Sequence, residues 1–375
     1  MIEVREATPA EVRDWDAMVA RFPNRRVVHE RAWVQSLAAS GYGTPLFLVF
    51  VRRGAVLGCL PGLRVDLGPF RVFGSPLAGW QTVSMGPAFD PAEASAAELV
   101  TPLLPYLEVE HRVVHVELMS PELDAPSMAA LDFRCETAPT YRVPLYPDDE
   151  RRMWQAMKDS ARRNVRRAER LGLRVVLESG DAFVQEHYAQ LKEVYLHGGH
   201  TVNFSERRVF EHVRHLEAAG RLLALSVYLP ASAVPGAVRD VSIATATFTM
   251  DGRELLLWAW AHRLQYRWYR PTELLTWTAM RTAAHAGCHS LDFMGRGDFK
   301  AKFGAELDET KCRCVRSRYH WVTWMRDMAE RGLRLRQSVM GQVGRLAARR
   351  AAGTNGGGVP APGHAGNGVG REPAA

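Results

Sequence analysis

From Ser290 to Leu307 the chain reads Ser-Leu-Asp-Phe-Met-Gly-Arg-Gly-Asp-Phe-Lys-Ala-Lys-Phe-Gly-Ala-Glu-Leu. An alternating strand breaks into a glycine-rich turn and then sets two cations, Lys300 and Lys302, among phenylalanines. Cations beside flexible backbone at a strand end suit the docking of an acyl or phosphate group. If the segment is extended the two lysines share a face, and if it is a helical turn they diverge. Asp292, on the apolar strand, reads either as a hydrogen-bonded anchor for the turn or as a base toward an incoming ammonium. An α-amine has a pKa of about 8 and a lysine amine about 10.4, so such a base has one proton to remove. Arg296, near Asp298 in the loop, is either a substrate contact or half of a surface ion pair.

Other side chains stand at suggestive spacings. Trp258, Trp260 and His262 alternate along an apolar run, which predicts that all three share one face opposite Ala259 and Ala261. With Tyr266 they read as an acceptor pocket or as core. His200, in a Gly-Gly-His loop, is a candidate base, since a neutral imidazole suits that task near pH 7. Residues 158–170 carry Lys158, Arg162, Arg163, Arg166, Arg167 and Arg170. Helical spacing stacks Arg162, Arg166 and Arg170 in one row and Arg163 and Arg167 in the next. Such a stripe fits phosphates or is a solvated face, with Asn164 a candidate inward partner.

Three stretches carry a family resemblance. Asp292-Phe-x-Gly followed by Phe299-Lys-x-x-Phe-Gly304 resembles the C-terminal signature of the FemABX-related acyltransferases, a branch of the GNAT superfamily. The basic helix ending in Ala168-Glu-Arg-Leu-Gly172 is similar to the family's basic helix. Trp33, Gly58-Cys-Leu-Pro61 and Ser75-Pro-Leu-Ala-Gly-Trp80 are similar to the first half of family members. The resemblance implies an α/β protein of two tandem GNAT-like domains, with mixed, mainly antiparallel sheets flanked by helices. It implies N-acyl transfer from acyl-CoA, acyl-carrier protein or aminoacyl-tRNA to an amine, in cell-envelope, polysaccharide or metabolite biosynthesis. It favours Lys300 as the functional cation. Where relatives have a tyrosine-rich strand and a glycine turn, this chain has Trp-Ala-Trp and a turn, Arg263 to Thr272, without glycine. A glycine turn there would open a helix whose N–H groups hold pyrophosphate, so its lack disfavours ordinary coenzyme A binding.

The elements that must position these residues are legible in outline. At 375 residues and 47% hydrophobic, the chain has the length and apolar content for two packed cores. The expected division is an N-terminal GNAT-like domain over 1–147, a catalytic GNAT-like domain over 148–325, a basic amphipathic helix over 326–352 and a disordered tail over 353–375. Thr8-Pro-Ala-Glu11 predicts a capped helix start. Further helices are expected over about 91–109, 150–171 and 181–196, in a stretch ending at Gly220, and from Pro271 to Gly287. Strands are expected at 46–51, 55–60, 113–118, 141–146, 174–178, 222–229, 241–250, 254–261 and about 311–322, with 141–146 closing the first domain and 311–322 the second.

Composition sets the remaining expectations. The net charge of +7 is concentrated at the end, because residues 331–375 hold seven arginines against Glu372 and leave +1 for residues 1–330. Contacts with tRNA or with a membrane surface are therefore expected of local patches, no DNA partner is expected, and the leading alternative to an enzyme is an RNA- or membrane-surface-binding protein acting through that arginine-rich segment. Five scattered cysteines suit reduced thiols, and Cys312 and Cys314 read as strand positions instead of metal ligands, so no metal and no permanent cofactor are expected. The acidic start Met1-Ile-Glu-Val-Arg-Glu lacks a signal-peptide pattern, and a cytoplasmic location is expected. No P-loop, Rossmann fingerprint, His-Glu-x-x-His or Gly-x-Ser-x-Gly occurs.

Overall fold

The protein is described by a computed structural model for residues 1–319, 321–322, 327–328, 331–332 and 339. Most of the expected basic helix and all of the expected tail lie outside the described residues. The first half runs β1 (Glu3–Glu6), α1 (Pro9–Arg13), α2 (Trp15–Val19), α3 (Arg31–Ala39), β2 (Thr44–Arg52), β3 (Ala55–Leu67), β4 (Phe70–Ser75), β5 (Ala88–Phe89), α4 (Ala96–His111), β6 (Val113–Ser120), α5 (Ala125–Ala129) and β7 (Arg134–Thr137). Thr8 caps α1 reciprocally with Glu11, as the sequence predicts. The second helix start is shifted: Ser95 forms a capping box with Glu98, so α4 begins five residues after the expected position.

The second half continues with β8 (Thr140–Pro144), α6 (Glu150–Ala156), α7 (Asp159–Arg170), β9 (Arg174–Leu177), α8 (Gly180–His197), α9 (Glu206–Ala218), β10 (Leu222–Leu229), β11 (Val241–Met250), β12 (Glu254–His262), α10 (Pro271–His285), β13 (Ser290–Asp292), β14 (Glu306–Asp308) and β15 (Cys312–Ser317). The helix expected over 150–171 is two helices, broken at Met157 and Lys158 with extended backbone. Tertiary contact supplies the reason. The Lys158 N–H donates to the Lys302 carbonyl at 2.9 Å, and Gly304 meets Ala156 so closely that a Cβ there would lie 2.9 Å from the Ala156 oxygen.

Two mixed sheets result, in the orders β1-β2-β3-β4-β6-β15-β7 and β14-β8-β13-β12-β11-β10-β9, with β5 paired to β3. One face of the second sheet packs α7 and α10 through Ala161, Val165, Leu275, Trp277 and Met280. Its other face packs α8 and α9 and reaches α3, Leu63 and Met85 of the first half, so this core is shared between the halves.

The topology departs from the expected division in both sheets. The strand expected to close the first domain is β8, which joins the second sheet between β14 and β13, and the strand expected to close the second is β15, which enters the first between β6 and β7. The halves therefore exchange strands. Exchange also overturns the expectation of five reduced thiols: β15 brings Cys314 directly opposite Cys135 on β7, and the two form a disulfide across 179 residues of sequence. Cys59, Cys288 and Cys312 remain free.

Because each half supplies an interior strand of the other's sheet, residues 1–147 and 148–325 expressed separately will show no cooperative thermal unfolding by circular dichroism. Co-expression will restore it. A fragment that melts cooperatively alone would show the exchange to be dispensable.

Candidate active site

Strands β12 and β13 run parallel and pair only from Glu254 with Ser290 to Leu256 with Asp292. Beyond that point β12 continues to His262 while the chain after Asp292 turns away. A cleft of about 430 Å³ opens between them, lined on one side by Leu257–His262 and on the other by Phe293, Met294, Phe299 and Lys300. Thr272 of α10, Leu191 and Tyr195 of α8 and Gln81 of the first half complete it. Polar backbone of β12 that would face a partner strand faces this space instead, and such groups are suited to bind a carbonyl oxygen as it gains charge.

Lys300 opens a short 3₁₀ turn, Lys300–Phe303, so of the two geometries open to the sequence the helical one is realised and the lysines diverge. Lys300 Nζ donates to the carbonyls of Phe293 and Gly295, each at 3.0 Å. A third proton remains for a ligand. Burial pushes the pKa of Lys300 down to about 8, with the Asp292 carboxylate opposing that shift. Lys302 points elsewhere, with its ammonium 4.9 Å from the Phe299 ring centroid.

The turn that carries Lys300 is held from below. Asp292 is 2% exposed and ion-paired to Lys311, which is 1% exposed. It also accepts from Thr140 Oγ1 at 2.6 Å and the Met294 N–H at 2.7 Å. Burial alone would raise its pKa, but the Lys311 charge and these hydrogen bonds outweigh burial and hold it below the usual value. With Thr140 and the Met294 N–H on Oδ1 and Lys311 on Oδ2, Asp292 sits as the anchor of the turn, the first of the two roles its sequence position leaves open. The Gly295 N–H donates to Thr140 Oγ1 at 2.9 Å, and β8 brackets the turn through Tyr141.

The other candidates are placed as follows. Trp260 and His262 line the cleft, but Trp258 does not share their face of the strand. The β11–β12 register runs Thr247 to Ala259 and Phe248 to Leu257, skipping Trp258. This bulge turns the Trp258 ring into the core shared with α9 and α3, while Trp260 packs on the opposite core. Burial lowers the pKa of His262 below its ordinary 6.5, so a neutral imidazole stands in the cleft at pH 7. His200 is exposed in its loop and outside the cleft lining. Tyr266 packs near Tyr269, outside the lining. Arg296 is exposed, pairs with Glu309 at 2.9 Å and lines a separate cavity with Thr137, Thr140, Met294 and Lys311.

The basic helix contributes no residue to the cleft lining and abuts the Lys300 turn at its start, through the Lys158–Lys302 backbone bond. Its Asn164 faces inward and donates to Glu273 Oε1 at 2.8 Å. Glu273 is buried in the first turn of α10, so negative charge already stands near the N-terminus of that helix, where a pyrophosphate would add more. Arg162 pairs with Asp159 and Arg166 lies 5.3 Å from the Trp154 ring centroid. Arg163, Arg167 and Lys158 are exposed. Sequence reasoning missed Gln81, Thr272 and Lys311; a charged residue just ahead of the last strand was the one signal available for Lys311.

Residues 155–303 match the family model of the acetyltransferase (GNAT) domain. The fold is similar to the crystal structure of FemX, with a TM-score of 0.66, 15% identity, and coverage of 83% of this chain and 96% of that one. It is also similar to a tandem GNAT protein from the clavulanic acid biosynthesis pathway, determined without AcCoA, with a TM-score of 0.50, 13% identity, and coverage of 85% and 98%. No curated protein matches the sequence. The chain has the fold of tandem GNAT proteins, and its second half holds the stretch that matches the GNAT domain model.

The Asp292–Lys311 pair yields a test of what positions the cleft. Lys311→Met leaves a buried carboxylate uncompensated and is expected to cost ~3–5 kcal/mol in urea unfolding, whereas Asp292→Leu combined with Lys311→Met should recover most of that loss. As the Asp292 pKa is depressed, its contribution is complete above the ordinary value of 3.8 and is lost as pH falls through the lower folded value. A neutral Lys311→Met would remove the pair from its place in the fold.

Proposed function

We propose that the protein is an N-acyltransferase that moves an acyl or aminoacyl group from a polyanionic carrier, aminoacyl-tRNA or acyl-carrier protein, to an amine. The observation that carries this reading is the cleft between the diverging β12 and β13, with a half-buried lysine on one wall and a neutral histidine on the other. Acyl transfer requires a deprotonated amine, a polarised carbonyl and fixed geometry, and no covalent enzyme intermediate. In this reading His262 takes the proton from the acceptor ammonium. The amine nitrogen bonds to the acyl carbon, the carrier's C–O or C–S bond breaks, and Lys300 steadies the oxygen that gains negative charge or protonates the departing group.

Two features support a carrier larger than free acyl-CoA. The turn before α10 has no glycine, and Arg270 there is held at φ 60 instead. The carboxylate of Glu273 sits within the first helical turn. Both oppose pyrophosphate at the usual helix end. The exposed row of Arg163 and Arg167, on the helix that abuts the Lys300 turn, offers phosphate contacts outside the cleft.

The donor assignment is tested by intact-mass detection of acyl transfer, using a panel of charged tRNAs, acyl-carrier proteins and acyl-CoAs with amine acceptors. Transfer from free acyl-CoA alone would sink it. The roles of Lys300 and His262 predict a bell-shaped dependence of kcat/KM on pH. Positive charge on Lys300 is lost as pH rises through about 8, giving the alkaline limb, and neutral His262 is lost as pH falls through its lowered value, giving the acid limb. Lys300→Met should lower kcat by about 100-fold to 1000-fold. Lys300→Arg should keep more activity and move the alkaline limb upward, and an unmoved limb would take Lys300 out of the mechanism.

A further inference from the structure

The β-bulge at Trp258 is held by a residue of the other half of the molecule. Gln81 Nε2 donates to the Trp258 carbonyl at 3.1 Å, and Trp258 Nε1 donates back to the Gln81 carbonyl at 3.1 Å. The pair is reciprocal and spans 177 positions of sequence. Gln81 itself lines the cleft, opposite the turn that bears Lys300.

The backbone at Gln81 is left-handed, with φ 50. Glutamine is a strained choice for that region, where glycine sits freely, as Gly79 does two residues earlier at φ 84. Strain of this kind persists where surrounding structure over-determines it, and it concentrates at functional sites. The surroundings do over-determine it. Trp80 is stacked on Tyr42 with centroids 5.9 Å apart. Thr82 Oγ1 accepts from Trp33 Nε1 at 3.1 Å and donates to the Trp80 carbonyl at 3.2 Å. On the far side, the Trp258 ring stacks on His212 at 4.0 Å and lies 5.2 Å from the Arg208 guanidinium. Both residues belong to α9 and are fully buried.

We propose that Gln81 is a positioning residue for acyl transfer: its carboxamide fixes the Trp258–Ala259 peptide at the bulge and so sets the backbone of β12 that faces the reacting carbonyl. The first half is thereby part of the active site and more than a packing partner. This rests on the acyl-transfer reading for its catalytic consequence, while the structural consequence stands on its own. Without the side-chain donor, the bulge keeps its indole bond to the Gln81 main chain but loses the clamp on its own carbonyl.

Two variants of the full chain test this. Gln81→Gly relieves the left-handed backbone and deletes the carboxamide, and Gln81→Glu keeps the shape but presents a carboxylate that cannot donate to the Trp258 carbonyl. Amide hydrogen exchange over residues 257–260 should quicken roughly 10-fold or more in both, with the rest of the second sheet unchanged. The thermal midpoint of Gln81→Gly should stay level or rise. With whichever donor the wild type accepts, kcat should fall about 10-fold to 100-fold while the donor KM stays within about 3-fold. Unchanged exchange at 257–260 would overturn the positioning, and quickened exchange with wild-type kcat would overturn its bearing on catalysis. If the wild type transfers nothing from any donor, it is the acyl-transfer reading that fails, and the exchange result still decides whether Gln81 holds the bulge.

Discussion

The buried carboxylate of Asp292 is the interaction on which the rest of the structure leans. It stands at the last rung of the β12–β13 ladder, where a parallel sheet must either continue or open. Its partners come from three places: Lys311, one residue before β15; Thr140, the first residue of β8; and the N–H of Met294, in the turn that leads to Lys300. A charged pair taken out of water is weak evidence of stability, because desolvation of both ions offsets much of their attraction. What it does provide is a geometry with few alternatives. A lone buried carboxylate or a lone buried ammonium would each be far worse than the pair, so the three segments cannot drift apart singly.

From that constraint the strand exchange and the cleft follow together. Both exchanged strands begin beside Asp292, so the point where the chain crosses between sheets is also the point where β12 and β13 part. Thr140 illustrates the economy: its hydroxyl donates to Asp292 and accepts from the Gly295 N–H, tying the first residue of an exchanged strand to the glycine turn. The Gly295 carbonyl in turn accepts from Lys300 Nζ and from the Tyr141 N–H. The ammonium that faces the cleft is thus two hydrogen bonds away from the crossover. Burial lowers its pKa, and the two backbone carbonyls that accept from Nζ set its orientation.

How far the sequence foretold this depends on whether the information was local. The order of helices and strands, the Thr8 cap, the Pro271 helix start and the glycine turn were legible, because each is written in neighbouring residues. Lys300 stood out for the same reason, as the lysine directly after Phe299 in a stretch that resembles a family signature. Partners were not legible. Strands are expected from the sequence at 141–146 and about 311–322, but their residues say nothing about which sheet each joins, and so the disulfide between Cys135 and Cys314 was out of reach. The helix break at Met157 was equally hidden, since it answers to Lys302 and Gly304 nearly 150 residues away. Trp258 misled in an instructive way: Trp-Ala-Trp-Ala-His is a regular two-residue period, and only pairing with β11 reveals the skipped residue that turns its ring to the other side.

That skipped residue is where the first half of the chain reaches the second sheet. In a bulge, one residue of the strand is left without a ladder partner and its peptide must find hydrogen bonds elsewhere. On this side β13 has already turned away at Asp292. The first half supplies a donor to the Trp258 carbonyl through Gln81, from a loop fixed by Trp33, Tyr42 and Thr82. A cleft of this kind exposes strand backbone on purpose, and exposed backbone is pliable unless something outside the sheet holds it. The two constraints therefore act at opposite walls. Asp292 and Lys311 fix the turn that carries the cation, and Gln81 with the buried face of α9 fixes the strand across from it. The separation between those walls, which acyl transfer needs held to fractions of an ångström, is set by the packing of one half of the chain against the other.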